Sequence, residues 1–191
     1  RTAWQGTFQK KTNEKEDDWS DIDAAVAAME DDSTGNFGGV SMDELIRKAY
    51  EGNSHIHTNS WGVAGYFGEY TTSSEDVDSR TNRYDRFWSY DGMIVLISAG
   101  NDGPDADTIT PPATAKNAVT VGNHHNRGGG APSTLSASSS RGPTDDGRIK
   151  PDITAPGSWV RSCRSQDAAN TDGASWSSTW YLEYSGTSMA T

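Results

Sequence analysis

Short apolar runs, set apart by polar and glycine-rich stretches, divide this chain into candidate elements. Ser20 or Asp21 caps a predicted helix through Ile22, Ala24, Ala25, Val26, Ala27, Ala28 and Met29, with acidic residues in its first turn. Ser41 followed by Glu44 is a capping-box pair and opens a second helix, with Leu45, Ile46, Ala49 and Tyr50 on one side and Gly52 as its stop. The segment from His55 to Trp61 alternates and reads as a strand ending at Gly62. Gly65 to Ser74 reads as a loop, and Val77 to Tyr90 as a helix with Tyr84, Phe87 and Trp88 at helical spacing. Met93 to Ala99 is a continuous apolar run, the pattern of a strand buried on both faces. Pro111-Pro112 breaks the chain, and Ala118 to Gly122 makes another short strand. Arg161 to Trp180 is mostly polar and shows no repeat. Helix–strand–helix–strand order specifies an α/β fold, a mainly parallel sheet flanked by helices.

Composition narrows the function classes. With 16 basic residues against 27 acidic ones, the 191-residue chain carries a net charge of −11, which argues against nucleic acid as a partner. Lys10 to Asp18 reads as a solvated charge run, and the carboxylates of Asp31 to Gly39 have no EF-hand spacing, so that stretch reads as a solvated loop. Cys163 is the only cysteine, so no disulfide forms within the chain, and no apolar run has membrane length.

In open parallel sheets, ligands bind at the carboxyl ends of the strands. Trp61-Gly62 and Gly100-Asn101 fall at two such ends. Near the last residue, Ser188 stands in Gly186-Thr187-Ser188-Met189-Ala190, where Gly186 permits a tight turn and small neighbours let a carbonyl approach the hydroxyl. A helix starting there would place free N–H groups beside Ser188. Together with Asn59-Ser60-Trp61-Gly62, Ser98-Ala99-Gly100-Asn101-Asp102-Gly103, Ser139-Ser140-Arg141-Gly142-Pro143 and Asp146 to Gly157, this stretch resembles the subtilisin-like serine proteases, the subtilases, in order and rough spacing. The resemblance covers roughly residues 41–191 and implies a partial catalytic domain, truncated at both ends, in which residues 10–40 look like an acidic insertion.

The resemblance implies a serine endopeptidase working through an acyl-enzyme on Ser188, with Asn101 as an oxyanion donor. Ser60, Trp61 and Gly62 would form one wall of the pocket for the residue before the cut, and Ser98, Ala99 and Gly100 the other. Trp61 can also serve as plain core packing. Because no acidic residue falls in these walls, an apolar or broad preference is expected. Gly142-Pro143 and Pro151 to Gly157 are read as turns shaping the ground beneath the site.

The family's aspartate and histidine motifs are missing. None of the four histidines, His55, His57, His124 and His125, has the setting of a catalytic base. Both missing triad members are expected upstream of Arg1, leaving the isolated chain inactive or nearly so. The chemistry calls for no cofactor; the resemblance allows structural Ca²⁺ at sites the sequence does not name. Polypeptide substrates are the implied partners, with the protein's own propeptide a further candidate, in an extracellular or cell-envelope setting. Two rivals are a subtilase-like pseudoenzyme serving as a binding module and another serine hydrolase such as an esterase. The Gly-x-Ser-x-Gly elbow of the latter is absent around Ser188.

Overall fold

A computed structural model describes residues 40–81, 92–126, 131–132, 134–164 and 174–191. The expected helix from Ile22, the charge run, the acidic loop and the aromatic residues Tyr84, Phe87 and Trp88 lie outside the described residues. Helix α1 spans Met42–Glu51, and the Ser41 hydroxyl accepts the Glu44 N–H at 3.2 Å, as the capping-box pair demands. Its apolar side, Met42 and Ile46 foremost, enters the core. Helix α2 spans Thr72–Thr81 and so begins earlier than Val77. Its buried side includes polar Ser73 and Ser74, the latter sharing a 2.7 Å hydrogen bond with Thr114 Oγ1. A hydrophobic pattern does not register a helix whose first turn is buried through hydroxyl pairs.

Strands β1 (Ile56–Asn59), β2 (Ile94–Ser98), β3 (Val119–His125) and β4 (Ile153–Ser158) form one sheet in the order β1-β2-β3-β4, with every pair parallel. The α/β architecture with a mainly parallel sheet is thus realised. Strand β4 replaces the turns expected between Pro151 and Gly157. Proline lacks an N–H for the ladder, but an edge strand has one side to spare, and β4 is at the edge. The buried Lys150 ammonium ties this edge down, donating to Ala118 O at 3.1 Å and to Asp152 Oδ2 at 2.7 Å, while the same carboxylate oxygen accepts the Thr120 N–H.

Register divides the sheet into two unlike faces. His57, Asn59, Val95, Ile97 and Thr120 lie on one face, and Val95, Ile97 and Thr120 are fully buried there, in a core shared with Met42, Ile46 and Val77. On the other face Ile56, Ile94 and Ile153 are 61%, 57% and 50% exposed, so β2 is not buried on both faces among the described residues. Only the carboxyl end of that face, at Ser98 and Val121, is buried; there helix α3 (Thr187–Ala190) packs on β3 and β4.

The polar stretch after β4 also forms strands. β5 (Val160–Cys163), β6 (Trp176–Ser177) and β7 (Tyr181–Tyr184) make a small antiparallel sheet in the order β5-β7-β6. Cross-strand pairing holds it: Glu183, buried on β7, accepts from its register partner Arg161 at 3.1 Å, and that guanidinium stacks 4.2 Å from the centre of the Trp176 ring. Charge and aromatic pairs carry this ribbon, so its sequence shows no apolar alternation.

Candidate active site

Three chain segments meet at the carboxyl ends of β1, β2 and β7. The first is the turn after β1. The Asn59 carboxamide there bonds His57 Nδ1 at 2.8 Å and accepts the Trp61 indole N–H at 3.3 Å. Trp61 is half-buried and leans on the hydrophobic core.

The second segment continues β2 through Ala99, Gly100 and Asn101. Gly100 has φ +107, a backbone position that side chains with a Cβ rarely adopt. Its carbonyl accepts the Ser140 N–H at 3.1 Å, and Ser140 Oγ accepts the Asp102 N–H at 3.0 Å. The Ser139–Pro143 stretch thus braces the loop that carries Asn101.

The third segment is the approach to α3. Gly186 adopts φ 157 and ψ 167, a region essentially confined to glycine, and its N–H donates to Gly157 O at 2.8 Å. The turn puts Thr187 and Ser188 in the first helical turn, where backbone N–H groups lack helical acceptors. Thr187 is fully buried. Its N–H donates to Asn101 Oδ1 at 2.9 Å, and its hydroxyl lies 3.1 Å from the same oxygen and 3.2 Å from Gly100 O. With Oδ1 held on this side, the planar carboxamide turns Nδ2 the other way. Ser60 and Ser188 are joined reciprocally: Ser188 Oγ donates to Ser60 O at 3.2 Å, and Ser60 Oγ donates to Ser188 O at 3.2 Å.

Of the residues singled out from sequence, Ser60 and Ser188 bond directly and Asn101 joins them through Thr187, while Trp61 and Gly62 follow Ser60 in the chain and Ser98, Ala99 and Gly100 precede Asn101. Thr187, which holds Asn101, is not singled out by any sequence motif of its own. Its signal was its place, one residue before the serine. Thr110, whose N–H donates to Ala99 O, gives no sign of that contact in sequence, because the Pro111-Pro112 pair beside it marks only a break.

No histidine serves Ser188 in this arrangement. His57 points from β1 to Asn59, and burial holds its imidazole below the ordinary pKa of 6.5. His124 Nδ1 lies 3.2 Å from Thr154 Oγ1, and His55 stacks edge-on against Tyr50. The Ser188 proton is directed at a backbone carbonyl, which cannot take it. Among the described residues no group of three or more His, Cys, Asp or Glu is placed to hold a metal ion, and no helix is long and apolar enough to cross a membrane. Cys163 is exposed on β5.

Residues 21–191 match the model of the subtilase family, peptidase family S8. The serine protease AprX of Bacillus subtilis is 38% identical over 121 residues, which span 61% of this chain and 27% of that protein. Among solved structures, the prenylagaramide maturation protease PagA superposes with a TM-score of 0.54 at 20% identity, covering 80% of this chain and 46% of the other. A psychrophilic protease, S41, gives 0.50 at 28% identity, over 78% of this chain and 44% of its own. The chain thus spans about a quarter of AprX and less than half of either structure.

Proposed function

The chain belongs to the subtilase family, and on that premise we propose that it carries the nucleophile and oxyanion-binding half of a serine endopeptidase. The observation that carries this is the link between Asn101 and the Ser188 turn, made through Thr187 across 86 residues of sequence. Ser188 Oγ attacks the scissile carbonyl carbon and gives its proton to a general base. The negative oxygen that forms accepts hydrogen bonds from Asn101 Nδ2 and the Ser188 N–H. Collapse releases the amine, which takes the proton back from the base, and water then hydrolyses the acyl-enzyme by the same route. Asparagine suits the second donor because it stabilises the developing charge without a full charge that would also grip the neutral substrate.

The base and the carboxylate that orients it come, in this reading, from sequence upstream of Arg1, since the Ser188 hydroxyl bonds Ser60 O and no histidine. The isolated chain is therefore inactive. Polypeptides are its substrates, and the family points to action outside the cell or at its envelope.

Fluorophosphonate labelling of the longer gene product tests this, with the modified peptide identified by mass spectrometry. Label on Ser188, lost when an upstream histidine is replaced, is the expected result. A folded product that takes no label would overturn the reading.

A further inference from the structure

Between the two wall segments lies Thr110, only 3% exposed, whose hydroxyl has no hydrogen-bond partner. A Cβ built on Gly62 would overlap Thr110 Oγ1 outright and come 2.9 Å from Thr110 Cβ. From the opposite wall, a Cβ on Gly100 would come 2.9 Å from the same oxygen and 2.7 Å from Ser140 Oγ. The Thr110 side chain therefore stands in the gap between the walls, touching both glycines.

Its backbone is tied to both sides. The Thr110 N–H donates to Ala99 O at 3.3 Å, and the next carbonyl, Pro111 O, accepts the Val63 N–H at 2.8 Å. Pro111, with its ring-restricted φ, and Pro112 follow directly, both buried. A side chain on such a backbone does not swing aside readily. An unpaired buried hydroxyl is also uncommon, and a valine of the same shape would fill the gap without one.

We propose that Thr110 limits this site to short side chains at the residue before the cut, with alanine and serine accepted and leucine and phenylalanine refused. The inference rests on the protease reading above and names the substrate class of that site. It replaces the apolar or broad preference expected from the wall residues with a limit on size. The wall motifs contain no bulky residue facing the gap; the obstruction comes from a third segment packed behind them.

The test uses the full-length gene product and peptide anilides that differ only in the residue before the cut, with active sites counted by fluorophosphonate labelling. The expected kcat/KM for Ala and Ser exceeds that for Leu and Phe by about tenfold or more. Thr110→Gly should raise the Phe-to-Ala ratio by about tenfold, whereas Thr110→Val, equal in shape, should keep the original preference. If Thr110→Gly takes up no label, Thr110→Ser is read instead and should move the ratio the same way by a smaller amount. A wild-type enzyme that cleaves after Phe as fast as after Ala would overturn the inference, as would an unchanged ratio in labelled Thr110→Gly or Thr110→Ser. Either result would leave the protease reading standing. An unlabelled wild-type protein would remove both.

Discussion

Replacing Thr187 by valine asks whether the Asn101 carboxamide must be held to do its work. The side chains are nearly equal in volume, and Thr187 is fully buried, so the change removes one hydroxyl and little else. That hydroxyl has a single proton, shared between Asn101 Oδ1 at 3.1 Å and Gly100 O at 3.2 Å. The stronger restraint, the Thr187 N–H donating to Asn101 Oδ1 at 2.9 Å, is a backbone group and survives. Losing one neutral, shared hydrogen bond is worth about 1 kcal/mol. If all of it is felt when the oxyanion forms, kcat falls about fivefold. KM should hardly move, because the donor matters most once charge develops. Steady-state hydrolysis of a peptide anilide by the full-length gene product, with active sites counted, measures both constants, and Thr187→Ser should restore them. A rise in KM with kcat unchanged would refute the argument. So would a loss as deep as that from deleting Asn101 itself, which would mean that the backbone bond gives no restraint.

Asn101→Ala should lower kcat by about 10²–10³-fold, a magnitude taken over from the equivalent donor in a subtilisin. The isolated 191-residue chain should show no turnover of a peptide substrate, and steady turnover abolished by Ser188→Ala would contradict the missing-base account. Asp78, buried on α2, accepts from Tyr70 Oη at 2.8 Å and from the N–H groups of Lys116 and Asn117 at 3.0 and 2.7 Å. Asp78→Ala strands these donors and should cost about 3 kcal/mol in urea unfolding of the full-length protein; a loss below 1 kcal/mol, on the order of one exposed bond, would mean the cluster is not cooperative. His57 should titrate by NMR below 6.5, because burial disfavours its charged form. The sign follows: the unfolded chain takes up this proton first, so the contribution is present above 6.5 and is lost as pH falls through the lower, folded value. A midpoint at or above 6.5 would show that His57 is not desolvated as described.

Local chemistry determined a good part of this molecule in advance. Ser41 starts α1 because its hydroxyl satisfies the Glu44 N–H within one turn, the alternation after His55 becomes β1, and the apolar runs at Met93 and Ala118 become β2 and β3. The motif order around Asn101 and Ser188 was equally readable, since each motif is a few consecutive residues. Tertiary structure alone decided the rest. Strand β4 exists because an edge position tolerates Pro156, and the β5-β7-β6 ribbon because Arg161 and Glu183 meet across strands. Ile94, apolar in sequence, stays 57% exposed for want of a layer over it among the described residues. The grip of Thr187 on Asn101 and the intrusion of Thr110 between Gly62 and Gly100 join residues dozens of positions apart. A residue's own neighbours set its backbone preferences and its tendency to be buried. What it touches once buried depends on how the remaining segments stack around it, and here that stacking sets Thr187 on Asn101 and Thr110 against Gly62 and Gly100.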